Sequence, residues 1–156
     1  MAAANNVTRM LEAKGIPFQA HAVPERKLSA LEVAEILSAP TETVFKTIVA
    51  EREKKGKTIL ALVPATGEVD LKKLAKAVGE KKVAVTTLEK AEKLTGLRAG
   101  GISPLALINK GFEVVIDESA LAHEAIYISA GQWGLQVALA AADLVQLTNA
   151  NISDIH

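Results

Sequence analysis

Seven residues, Val44-Phe45-Lys46-Thr47-Ile48-Val49-Ala50, constrain the fold of this 156-residue chain more than any other stretch. β-Branched and aromatic side chains dominate them and no glycine or proline interrupts, so they predict a strand. Side chains alternate across a sheet, which puts Val44, Lys46 and Ile48 on one face and Phe45, Thr47 and Val49 on the other. Both faces are mostly apolar, as in a strand covered on both sides, yet one carries an ammonium. Burying an unpaired ammonium is costly. Lys46 therefore meets a carboxylate, opens into a cleft, or marks an edge strand whose lysine points to water.

The rest of the composition narrows what can surround that strand. The length suits one domain with a real core. Hydrophobic residues make up 49% of the chain and aromatics only 3%, so the core is built from Leu, Ile, Val and Ala. The absence of cysteine excludes disulfides, thiolate zinc sites and a cysteine nucleophile together. Met1 to Asn6 lacks the basic flank and apolar run of a signal peptide, and no stretch approaches the ~18 apolar residues of a membrane span. The expectation is a cytoplasmic protein with no membrane partner. Net charge is zero but unevenly spread: residues 46–98 hold 13 Lys/Arg against 7 Asp/Glu, whereas residues 99–156 hold Lys110 against six acids. A basic middle is either a phosphate footprint or a set of solvated helix faces.

In chain order, Val7, Met10 and Leu11 have helical spacing up to Gly15, and a short strand follows over Phe18 to Ala22. Val23 to Leu28 reads as a loop. Ser29 and Glu32 form a capping box for a helix that ends before Pro40. After the Lys46 strand, polar Glu51 to Lys57 turns the chain into Thr58 to Val63, as an antiparallel hairpin. Asp70 caps a helix carrying Leu71, Leu74, Ala75 and Val78 inward and Lys72, Lys73 and Lys76 outward. Lys81 to Val85 is a strand, and Thr86 with Glu89 is a capping box for a helix ending at Gly96. Further strands fall at Glu113 to Asp117, Ala125 to Ser129 and Leu135 to Leu139, with helices near Glu118 to Ala122 and over Ala140 to Thr148. Directly joined strands make this a mixed α/β domain spanning residues 1–156, not a doubly wound parallel sheet.

Candidate chemistry is sparse. His21, His123 and His156 have no partner at metal-ligand spacing, which leaves no metal site, and His21 alternates with apolar residues as a packed or surface histidine does. Gly100-Gly101 fits neither a Walker loop nor a dinucleotide fingerprint, but glycine can present bare backbone N–H groups to a ligand. Ser129-Ala130-Gly131 places a hydroxyl at a strand end before a small-residue turn. Each feature alone also reads as plain structure.

Together, Phe45-Lys46-Thr47, Gly100-Gly101-Ile102-Ser103-Pro104-Leu105, Ile116-Asp117-Glu118-Ser119-Ala120-Leu121 and Ile126-Tyr127-Ile128-Ser129-Ala130-Gly131 with Gly134-Leu135 resemble the YbaK/EbsC family. These are free-standing aminoacyl-tRNA deacylases related to the editing domain of bacterial prolyl-tRNA synthetases. The resemblance runs from about Ile16 to Asp154. It implies a single α/β domain with a curled, barrel-like mixed sheet flanked by helices. It also implies trans-editing of mischarged tRNA, typically Cys-tRNA(Pro), without a cofactor. The implied partners are the aminoacyl-tRNA acceptor end and prolyl-tRNA synthetase. It assigns Lys46 the catalytic role and places Phe45, Thr47, Gly100, Gly101, Ile102, Ser129 and Gly131 around the substrate. The N–H groups of Gly100 and Gly101 would hold the oxyanion and Ser129 would orient the ribose or amino group. Two positions depart from the family pattern: Val23 stands where a tyrosine is usual, and Gln136 where an aspartate is frequent. A deacylase for another amino acid, such as Ala or a small non-protein residue, and a silent module binding RNA or a synthetase are therefore the alternatives.

Overall fold

The computed structural model describes residues 4–156. Alternating polar and apolar runs resolve into five helices and eight strands among those residues: α1 (Asn6–Ala13), β1 (Phe18–Ala22), α2 (Ala30–Leu37), β2 (Phe45–Arg52), β3 (Ile59–Pro64), α3 (Leu71–Ala77), β4 (Val83–Val85), α4 (Leu88–Thr95), β5 (Glu113–Asp117), β6 (Ile126–Ser129), β7 (Leu135–Leu139), α5 (Ala141–Thr148) and β8 (Asn151–Ser153). The short helix expected near Glu118 to Ala122 is present as a 3-10 helix, Glu118–Ala122, directly after β5.

β2 and β3 form the expected antiparallel hairpin, with Phe45 opposite Pro64 and Ala50 opposite Ile59. β3 then runs parallel to β5, and β5 parallel to β8, which extends the sheet to the order β4-β2-β3-β5-β8. A second, antiparallel sheet has the order β1-β7-β6. The two sheets meet at one parallel bridge, Val44 to Tyr127. The mixed sheets flanked by helices match the expectation; the barrel does not close. Joined through Val44 and Tyr127, the strands among the described residues run from β1 to β8, which do not pair with each other; the outer edge of β2 is paired only near its ends, to Tyr127 through Val44 and to β4 over Ala50–Arg52.

The alternation of β2 separates two cores. Phe45 and Val49 pack with Leu60, Leu62, Ile116, Ile128 and Val137 between the sheets, while Ile48 packs on the opposite face beside Val63, Leu74 and Val115 under α3. Fully burying each such aliphatic side chain stabilises the fold by about 1.5–3 kcal/mol. Arg52, at the end of β2, donates to the carbonyls of Lys57 (3.0 Å) and Val78 (3.2 Å) and pairs with Glu80 (3.1 Å) and Glu113. One guanidinium thereby ties the hairpin to the end of α3 and to β5.

Helix starts follow cap chemistry. Ser29 accepts from the Glu32 N–H and Glu32 returns the bond to the Ser29 N–H, the capping box read from the sequence. At α4 the cap is Thr87, accepting from the Lys90 N–H, so the Thr86–Glu89 box does not form. The Thr86 hydroxyl bonds instead to the Val49 carbonyl, which keeps Thr86 in the extended run leaving β4.

Candidate active site

The unpaired edge of β2 opens onto a cavity of about 270 Å³. Its walls are the first turn of α2 with the preceding Lys27–Ser29, the start of α4 with Val85 and Thr86, the loop at Ala99, Gly100 and Ile102, and Ser129 and Gln136 from the second sheet. The Val49 carbonyl accepts from the Thr86 N–H on this edge. Backbone groups alternate along a strand, so the N–H and C=O of Thr47 point the same way, into the stretch that no strand pairs. Because the cavity lies along the strand's edge, residues from both faces, Phe45 and Thr47 as well as Lys46, line it.

Lys46 satisfies two of its sequence-level alternatives at once. Its ammonium lies 3.2 Å from Glu68, whose side chain is 90% exposed, and its own side chain, 25% exposed, lines the cavity. An ion pair with so solvated a partner contributes at most about 1 kcal/mol. It holds the ammonium without neutralising the cavity.

Of the residues the sequence nominated, Phe45, Lys46, Thr47, Gly100, Ile102 and Ser129 surround the cavity; Gly101 and Gly131 do not. The Gly101 N–H is donated to the Arg98 carbonyl at 2.8 Å, so it is spent on the turn and is not available to an oxyanion. A Cβ at Gly101 would sit 3.1 Å from the Gln132 carbonyl carbon and 3.3 Å from the Trp133 nitrogen. Gly101 is glycine because another backbone packs on it. Gly131 has φ +91° and would drive a Cβ to 2.7 Å from Ala106, while its N–H donates to the Ser129 hydroxyl at 3.2 Å. It sets the serine's orientation from behind. Gly100, with φ +88°, faces Lys27 and remains the glycine at the cavity.

Three groups at the site escaped the sequence reading. Trp133 donates its indole N–H to the Ala99 carbonyl at 2.9 Å, and the Arg98 guanidinium stacks 3.6 Å above its ring, pinning the glycine loop from outside. Lys27, itself exposed, adds a second lysine to the wall, its Cγ 3.0 Å from where a Gly100 Cβ would be. Their signal was weak: an isolated tryptophan in a turn and a lysine in a charged loop reveal a partner only after folding.

The second sheet contributes a polar row. His21 and Ser129 are both register partners of Gln136, so the three side chains project from one face of that sheet. His21 is packed, its ring 5.6 Å from that of Tyr127, and its Nε2 is buried without a partner. Away from the cavity, Asp117, Asp154 and His156 come together, a grouping the sequence spacing did not suggest. Their polar atoms are already engaged within the protein. Asp117 accepts from Ile155 N–H (2.9 Å), Ser119 and His156 (2.9 Å), and Lys73 lies 2.9 Å from Asp154. Burial alone would raise the Asp117 pKa, but the bonds from Ile155, Ser119 and His156 outweigh it and hold the carboxyl below its ordinary value.

No helix among the described residues is long and apolar enough to cross a membrane. The chain as a whole is similar to known proteins. EbsC of Enterococcus faecalis, which bears the name of a candidate Cys-tRNA(Pro)/Cys-tRNA(Cys) deacylase, is 40% identical over 152 residues, 96% of this chain and 92% of that one. A crystal structure described as a candidate trans-editing enzyme for prolyl-tRNA synthetase superposes with a TM-score of 0.81 at 25% identity, covering 98% of each chain. That of the hypothetical protein APE2540 shares the fold, with a TM-score of 0.87 at 20% identity over 97% of this chain and 99% of that one. The model of the aminoacyl-tRNA editing domain matches residues 25–147, from the strap before α2 to the end of α5, and the chain belongs to that family.

Proposed function

We propose that this chain is a free-standing deacylase that cleaves the ester between a misattached amino acid and the terminal ribose of tRNA, with Cys-tRNA(Pro) as substrate and prolyl-tRNA synthetase as companion. The observation that carries the reading is the gap in β2: a cavity with room for a small acyl group, edged by backbone that no strand among the described residues pairs and lined by Lys46. The editing-family membership and the names of two relatives support it.

Among the described residues the walls carry no histidine, cysteine or carboxylate, so the usual imidazole, thiolate and carboxylate bases are absent there. The attacking group is then a water or, for a cysteinyl ester, the substrate's own thiol. The protein's part is positioning and charge. Lys46 holds the developing negative charge or the phosphate beside the terminal adenosine. The Gly100 N–H faces the ester oxygen, and Ser129, oriented by Gly131, donates its hydroxyl to ribose or amine. Thr47 offers the backbone N–H and C=O that align the acyl unit along β2.

Catalytic amounts of protein incubated with a panel of misacylated tRNAs, with and without prolyl-tRNA synthetase, test this. Multiple turnover on Cys-tRNA(Pro) is the expected outcome. Turnover only on another aminoacyl-tRNA corrects the substrate, and turnover on none overturns the enzyme reading.

A further inference from the structure

Every formal charge on the cavity wall is positive. Among the described residues, Lys27 and Lys46 are its charged members, and no carboxylate lines it. Both α2 and α4, eight residues each, meet it with their first turns. Helix N-termini add partial positive charge in the same direction. The nearby acids are committed elsewhere or point outward. Glu68 is exposed beyond Lys46, Glu32 caps α2 and pairs with Arg26, and Glu89 pairs with Lys93. Glu92 accepts from the Ala99 N–H, and Glu25 packs on Gly134. On the second sheet, His21 and Tyr127 are the titratable groups beside the wall.

An aminoacyl ester brings its own cation, the α-ammonium, into this field. A like charge in a partly desolvated site is disfavoured. A neutral group on the wall can receive an α-substituent: Gln136, 7% exposed as a residue, lines the cavity, and its amide, without a hydrogen bond to protein among the described residues, stays accessible from it. An amide that faces the cavity and has no protein partner is free to hydrogen-bond an uncharged amine or hydroxyl of a ligand.

Resting on the deacylase reading, we propose that the cavity takes acyl groups whose α-substituent is uncharged, a neutral amine or an α-hydroxyl, with Gln136 as the acceptor and specificity-determining residue. The same site then cleaves α-hydroxyacyl esters of tRNA as well as aminoacyl esters.

The test compares alanyl-tRNA with lactyl-tRNA, which replaces the amine by a hydroxyl. Single-turnover rates at excess protein are each divided by that ester's rate without protein at the same pH. The ratio cancels titration of the protein and of water. An α-amino group with an ordinary pKa of about 7.7–8.0 passes from charged to mostly neutral between pH 6.0 and 8.5. The lactyl ester is expected to be favoured roughly 10-fold or more at pH 6.0, falling toward parity by pH 8.5. Gln136→Asp supplies the missing carboxylate and should reduce or reverse the preference at pH 6.0; the wild-type ratio stands by itself if that variant does not fold. Alanyl preference at pH 6.0, or a ratio independent of pH, overturns the proposal while leaving the deacylase intact. Cleavage of neither ester, with turnover of Cys-tRNA(Pro) retained, overturns it too. Cleavage of no ester at all removes both readings.

Discussion

Gly101→Ala separates a loop built to touch substrate from one built to be packed upon. The added methyl would lie 3.1 Å from the Gln132 carbonyl carbon, 3.2 Å from its Cα and 3.3 Å from the Trp133 nitrogen, all backbone atoms. That backbone cannot swing aside as a long side chain would, because Trp133 is fixed by its bond to Ala99 and by the Arg98 stack. Relief requires a shift of a few tenths of an ångström in one loop or the other. Overpacking of this kind costs about 1–3 kcal/mol. At about 2–4 °C per kcal/mol for a chain of this size, the melting temperature should fall by roughly 2–12 °C. Circular dichroism melts, read beside single-turnover deacylation well below the transition, measure both quantities. An unchanged melting temperature with abolished activity would refute the packing argument and return Gly101 to the substrate.

Other substitutions probe the joints around the site. Arg52→Ala leaves Glu80, Glu113 and two carbonyls short of their donor and should cost about 3–5 kcal/mol in urea unfolding, with the deacylase rate of the folded fraction unchanged. The Asp117 pKa is depressed in the fold, so its contribution is present above the unfolded value near 3.9 and lost as pH falls through the folded value. Wild type should thus lose stability on acidification below about pH 4, and Asp117→Asn should show a smaller loss over that range in pH-dependent unfolding. Trp133→Phe keeps the ring but drops the bond to Ala99, so kcat should fall several-fold with little change in KM, while Arg98→Ala should shift the emission of this lone tryptophan.

What the sequence disclosed and what it withheld divide along physical lines. β2, β3 and the core of α3 were legible because alternation and helical spacing encode which side is buried, although Leu71, expected inward, is 39% exposed at the first turn of α3. The start of α2 was legible because its cap is a local reciprocal bond. β8 was not: three residues at a sheet edge, none fully buried, leave no pattern. The α4 cap lay one residue late because Thr86 was claimed by Val49, a partner 37 positions away. At the site, Lys46 stood out because a charge in an apolar strand violates a pattern. Gly101 misled because a glycine gives no sign of which neighbour needs its missing side chain. Gln136 could be noticed as a departure, but only the fold shows its amide facing the cavity without a protein partner among the described residues.

The central claim is that the gap in β2, with Lys46 in it, performs the hydrolysis. Lys46→Ala loses only an exposed ion pair, so its stability should change by less than about 1 kcal/mol. Lys46→Arg keeps the charge but replaces a compact ammonium by a planar fork that needs a differently shaped site. Single-turnover deacylation of Cys-tRNA(Pro) by both variants, with folding verified by circular dichroism, measures the claim. Both should be folded and slower by roughly 10²-fold or more, the scale of losing one well-placed electrostatic contact. Near wild-type rates for a folded Lys46→Ala would place the chemistry elsewhere.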